Sequence, residues 1–143
     1  MDIRKKVNML IRKYGTASPD RLAAALDIEI IYIDLGGDVY GSYVKYKRMK
    51  RIMLDVEHTP ERLQPFVLAH ELGHAVCTPD ANTSWLTTYT LAINVDRVER
   101  RANEFAVNLL LNDEYIEEHR EYSLYQLAAI RGVPENLVAL KGV

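Results

Sequence analysis

The segment "LQPFVLAHELGHAVC", Leu63 to Cys77, constrains the fold of this chain more than any other. Leu63, Phe66, Val67, His70, His74 and Cys77 follow three- and four-residue steps, so two histidines continue an apolar helical stripe instead of facing water. Burying imidazoles beside a carboxylate costs free energy unless those groups are paired or ligate a metal. Gly73 costs about 1 kcal/mol more relative to alanine in a helix interior, and marks a close approach by another backbone or a substrate. Residues four apart on an α-helix differ by about 40° in azimuth, so both imidazoles aim at one point, the geometry of a bidentate metal clamp. Glu71 completes an HExxH pattern; it sits beside the clamp, where it reaches a water on the ion without binding the ion itself. The bland alternative is a pair of hydrogen-bonded core histidines, commoner on apolar helix faces than ligands. Against it stands the conjunction of two histidines and an acid on one inward-facing helix, which a metal explains.

A catalytic metal needs a third protein ligand and an open position. His58 precedes the helix, His119 lies far downstream, and no HxxGxxH continuation follows His74, which turns attention to acids. In "ERRANEFA", Glu99 to Ala106, Glu99 and Asn103 share a face at i and i+4, beside an apolar stripe of Val98, Ala102 and Phe105. A carboxylate at Glu99 completes a two-histidine, one-glutamate set, and Asn103 offers a hydrogen bond to a ligating imidazole. Two other readings stay open: Glu99 as a solvated acid paired with Arg100 or Arg101, and Glu104 as the ligand, about 140° round the helix from Glu99.

At 143 residues, 48% apolar and 27% charged, the chain suits one globular domain with a real core. A formal charge of −2 gives no general attraction to nucleic acid or to an anionic membrane. The basic cluster Arg4, Lys5, Lys6, Arg12 and Lys13 reads as a solvated helix face. No stretch approaches the length of a membrane span and no signal-peptide core is seen, so the expected compartment is the cytoplasm. The single cysteine, Cys77, agrees with a reducing environment and reads as a small buried hydrophobe.

The expected architecture is α+β within a single domain, 1–143. Residues 1–27 form two helices, the second opened by Ser18 and Pro19. Residues 28–56 carry three strands, "IEIIYIDL", "VYGSYVKY" and "RIMLDV", joined by tight turns into a small antiparallel three-stranded sheet. Thr59 caps the motif helix, 60–78, and Pro79 stops it. The loop at 79–94 carries Trp85, Leu86, Tyr89 and Leu91, which either grip an extended substrate or fill the core. Helix 95–111 bears Glu99, and short helices complete 112–143, one with Ser123 and Gln126 in a capping box. The final "YSLYQLAAIRGVPENLVALKG" has a helix-turn-helix outline, yet its last helix offers DNA only Lys141.

With "LAHELGHAV" followed by "ERRANEFAVNLLL" and preceded by "LAAALDIEIIYIDL" and "RIMLDVEHTPERLQPF", the chain resembles the ImmA/IrrE family of zinc-dependent metallopeptidases over roughly 22–111. HELGH combined with ExxAN-x-FA is far more specific than HExxH alone. The resemblance implies a zincin-like domain with Zn2+ held by His70, His74 and Glu99, and Glu71 as general base. It further implies a cytoplasmic endopeptidase of phage or mobile-element type. Its action would be one specific cut in a helix-turn-helix repressor, relieving repression without direct contact to nucleic acid or membrane. A non-catalytic, zinc-stabilised protein that binds and sequesters the repressor is the alternative. In such an enzyme the substrate adds as a strand to an exposed edge, for which strand 39–46 is the expected receiver. Tyr89, Tyr115 and His119 are candidates for stabilising the oxyanion. One departure is visible: relatives often carry another histidine shortly after HELGH, where this chain has Thr78.

Overall fold

The computed structural model describes residues 1–80, the strand at 83–86 and residues 97–142. Helix α1 (Ile3–Tyr14) starts where the Asp2 carboxylate accepts the Lys5 N–H, and ends where Gly15, at φ 71°, returns its N–H to the Ile11 carbonyl. It buries Ile3, Val7 and Leu10 and leaves its basic face outside. Helix α2 (Pro19–Ala25) is opened by proline at its first position, as expected. Ser18 spends its hydroxyl on Asp20 and makes no side-chain cap.

Strands β1 (Ile28–Tyr32), β2 (Val39–Tyr46) and β3 (Met49–Leu54) occupy the expected stretches, and the α+β class holds. The pairing differs from the meander. A fourth strand, β4 (Thr83–Leu86), joins the sheet, the order is β1-β3-β2-β4, and β1 lies parallel to β3, with Ile30 opposite Ile52. The reason lies in residues 33–38. A tight Gly36-Gly37-Asp38 turn would place β2 directly beside β1, but Asp55, at the end of β3, accepts the Leu35 N–H at 2.9 Å, and Ile33 N–H reaches the Leu54 carbonyl. Those bonds carry the chain past β3, a span of roughly 10 Å, or two strand spacings. The β2–β3 hairpin then closes next to β1. Because β4 pairs with β2 antiparallel, the edge expected of strand 39–46 is covered. Tyr89 and Leu91 lie outside the described residues, as do the side chains of Trp85 and Leu86.

A short 3-10 turn at Glu61–Leu63 leads into helix α3 (Gln64–Cys77). Thr59 does not cap it, since the turn intervenes and the Thr59 hydroxyl has no hydrogen-bond partner. Helix α4 (Arg97–Leu110) packs against α3, and Phe66, Leu72, Phe105 and Leu109 are fully buried, each burial worth roughly 1.5–3 kcal/mol. Helix α5 (Asp113–Glu118) is capped by Asn112, and α6 (Leu124–Arg131) by the Ser123–Gln126 capping box.

The helix-turn-helix outline at the end is not realised. After α6 and Gly132 the chain forms a 3-10 helix, Glu135–Lys141, in place of a recognition helix. Its Lys141 is 2% exposed and donates to Asp113 at 2.7 Å, so it cannot reach a phosphate.

Candidate metal centre

The site is made by α3 and α4 meeting at backbone distance. A Cβ on Gly73 would lie 2.9 Å from the Ala102 carbonyl oxygen and 3.0 Å from both Ala102 Cα and Phe105 Cβ. The glycine thus accommodates the main chain of α4, not a substrate.

Across that contact His70 Nε2 lies 2.8 Å from Glu99 Oε2, and His74 Nε2 lies 3.1 Å from both Glu99 Oε2 and His70 Nε2. The two imidazoles meet edge to face at 85°. Both histidines are 0% exposed and Glu99 is 7% exposed, which sets aside the reading of Glu99 as a solvated partner for Arg100 or Arg101. Glu104 is on another side of α4, lining a concavity with Met1 and Ile3.

Asn103 decides the tautomer of His70. Its Oδ1 lies 2.8 Å from His70 Nδ1, and a carbonyl oxygen only accepts, so Nδ1 carries the proton. Burial lowers the His70 pKa and keeps the ring neutral. For Glu99, burial works against the charged form, but the two imidazoles that face its Oε2 outweigh burial and hold the carboxyl at about 2. With the His70 proton on Nδ1, its Nε2 and the Glu99 oxygen are both lone-pair donors 2.8 Å apart, a contact that needs a proton or a cation between them. Such an arrangement is unfavourable alone and is resolved by a cation bound to all three atoms, so the donor set fits a metal.

Glu71 is 0% exposed, and neither of its carboxylate oxygens has a hydrogen-bond partner. Burial, and secondarily the charge of Glu99, raises its pKa well above the ordinary carboxylate range. It lies with His70 and His74 in a group whose ligand atoms are within 4.8 Å of one another. Behind it, Gly41 of β2 admits the helix: a Cβ there would be 2.7 Å from Val67 Cγ1 and 3.3 Å from Glu71 Cγ. A glycine inside the alternating strand "VYGSYVKY" was the signal for this contact, because such glycines mark close backbone approach.

Other expected participants are engaged elsewhere. Thr78 Oγ1 is 3.5 Å from His74 Nδ1, and its hydroxyl donates to the His74 carbonyl. His119 donates its Nδ1–H to the Tyr115 carbonyl, and the Arg131 guanidinium lies 3.8 Å over the Tyr115 ring. Burial pushes the Cys77 thiol up to about 11, as suits a small hydrophobe. Asp34, Asp55 and His58 make a second group. There Asp55 accepts three N–H groups, among them His58 Nδ1–H at 2.7 Å, and the arrangement pins the 33–38 loop.

Comparison with known proteins identifies the family. The family profile described as an IrrE N-terminal-like domain matches residues 23–141. The chain is 38% identical over 141 residues to the uncharacterized immunity region protein 2 of Bacillus phage phi105, covering 97% of this chain and 88% of that protein. It is 31% identical over 139 residues to metallopeptidase ImmA of Bacillus subtilis (strain 168), covering 92% of this chain and 79% of that one. No solved structure matches the chain. On both the profile and the relatives, the chain belongs to the ImmA/IrrE family of metallopeptidases, of phage or mobile-element type.

Proposed function

We propose that this protein is a zinc endopeptidase of the cytoplasm that makes one specific cut in a helix-turn-helix repressor and so relieves repression. One observation carries the reading. Two imidazole nitrogens and a carboxylate oxygen converge within 3.1 Å, with an unpartnered carboxylate, Glu71, on the adjacent position of the same helix. Donors bound to zinc at about 2.0–2.2 Å in a tetrahedron stand roughly 3.3 Å apart, so the trio needs to open by only a few tenths of an ångström. His70, His74 and Glu99 would hold the ion, and the two-histidine, one-carboxylate set suits zinc. When bound, zinc supplies Lewis-acid polarisation of the scissile carbonyl and acidifies a water.

The chain's own residues do the remainder. Asn103, accepting from His70 Nδ1–H, keeps the Nε2 lone pair on the metal side. Glu71, with both oxygens unspent, takes the proton of the attacking water and delivers it to the leaving amine. Its dry surroundings raise its basicity toward that of a working general base. No helix among the described residues is long and apolar enough to cross a membrane.

Co-expression of the protein with candidate helix-turn-helix repressors tests the reading. The parent is expected to release a repressor fragment, and Glu71→Gln to retain zinc and fold while releasing none. Undiminished cleavage by that variant would refute the mechanism.

A second reading draws on the complete burial of His70, Glu71 and His74. In it the metal only ties α3 to α4, and the protein acts by sequestering the repressor. Activity that persists in Glu71→Gln and scales one-to-one with repressor selects this second mode.

A further inference from the structure

A cavity of about 480 Å³ opens between the start of α2, the ends of β1 and β3, and the first turns of α3. It adjoins the candidate metal centre. Val67 forms part of its wall, one turn before Glu71 on α3, and Gly41 of β2 touches both side chains.

Three features of the wall point to one chemistry. Tyr32 and Tyr40 present aromatic rings, the former 61% exposed. Asp20 and Glu61 supply exposed carboxylates, while among the described residues the wall holds no lysine or arginine. Between them Val56, Pro65 and Leu68 form an apolar stretch, with Val56 40% exposed. Aromatic faces and carboxylates around an apolar floor recognise a cationic head on an alkyl stem. Thr59 adds a separate polar group. It belongs to the wall, is only 5% exposed, and its hydroxyl has no hydrogen-bond partner. Buried hydroxyls are normally satisfied, and this one can accept from a guanidinium or ammonium N–H.

We propose that this cavity is a docking pocket for a lysine or arginine side chain of the protein substrate, seated beside the metal centre and selecting where the chain is held. The proposal rests on the peptidase reading above, because it assigns the cation to the substrate. A side chain is favoured over a free polyamine since the cavity lies one helical turn from Glu71, where a docked residue brings its own backbone toward the site.

The test uses the intact protein and blocked amino acids followed by amide NMR. N-acetyl-arginine methylamide should give saturable shifts at Thr59, Tyr40 and Val67. Its uncharged counterpart, N-acetyl-citrulline methylamide, should bind about tenfold more weakly. The double substitution Asp20→Asn with Glu61→Gln should erase that preference and raise the KM for repressor cleavage, with the effect in KM and not in kcat. Absence of saturable shifts, or equal binding of the citrulline probe, overturns the pocket. Tighter binding of spermidine with KM unmoved in the double variant overturns the assignment to a substrate side chain. Probe binding is read without cleavage, so the pocket stands or falls independently of the Glu71→Gln experiment.

Discussion

Replacing Gly73 with alanine sets two known quantities against each other. Helix propensity alone favours the change by about 1 kcal/mol. The tertiary contact opposes it, because the new Cβ would stand 2.9 Å from the Ala102 carbonyl oxygen and 3.0 Å from Ala102 Cα and Phe105 Cβ. Ordinary carbon contacts lie at about 3.5–4.0 Å, and main-chain atoms cannot rotate aside, so α3 and α4 must separate. Overpacking of this kind costs ~1–3 kcal/mol, which leaves a net loss of up to about 2 kcal/mol once propensity is credited. For a chain of this size the expected fall in Tm is about 3–4 °C per kcal/mol. The same separation reaches the metal centre, because Ala102 immediately precedes Asn103 and α4 also carries Glu99. Stretching the 2.8 Å contacts of His70 with Asn103 and Glu99 should weaken metal binding by about 10–100-fold. Calorimetry and competition with a zinc chelator read the two effects separately. A rise in Tm with unchanged zinc affinity would show that propensity wins, and that the helices do not touch at backbone distance.

Three further outcomes are expected. Asn103→Leu removes the acceptor that holds the His70 proton on Nδ1 and should lower zinc affinity about 10–100-fold in chelator competition; equal affinity would show that the hydrogen bond orients nothing. Gly132→Ala places a Cβ 2.0 Å from the Arg62 carbonyl oxygen at a residue whose φ is 77°, so strain of about 1–2 kcal/mol adds to a main-chain clash, and soluble yield and Tm should both drop; an unchanged Tm would deny the contact. Asp55→Asn tests the His58 clamp by pH. In the parent, Asp55 is held at about 2, so its contribution is complete above the ordinary carboxylate pKa near 4 and is lost as pH falls toward 2. The His58 pKa is raised, chiefly by its hydrogen bond to Asp55, so its contribution is complete below about 6.5 and is lost as pH climbs through the raised value. Urea midpoints of the parent should therefore peak between those limits, and the variant's profile should be flatter on both sides; parallel profiles would count against the clamp.

How far the site could be read in advance varies from residue to residue. His70 and His74 were placed on the buried stripe by three- and four-residue spacing, and Glu99 and Asn103 on one face by the same rule, and all four lie buried there. Helix ends with local chemistry were equally legible, such as Gly15 at φ 71° and the Ser123–Gln126 capping box. Thr59 was not, although cap and proline stand in the right order, because a 3-10 turn intervenes and the helix starts at Gln64. Lys141 had the look of an exposed base and is instead buried on Asp113, a partner from a different helix.

The amino-acid sequence by itself determined where most of the helices and the first three strands lie and which of their faces are apolar, because periodicity, caps and turn residues act over a few neighbouring positions; β4 and the 3-10 turns escaped it. Tertiary structure alone decided the β1-β3-β2-β4 order, through loop amides bound to a buried Asp55 that local turn chemistry could not anticipate. It also decided that Gly73 answers to the α4 backbone and not to a substrate. These outcomes turn on contacts between segments far apart in the chain, whose distances are set by how whole helices and strands pack, and no local pattern encodes them.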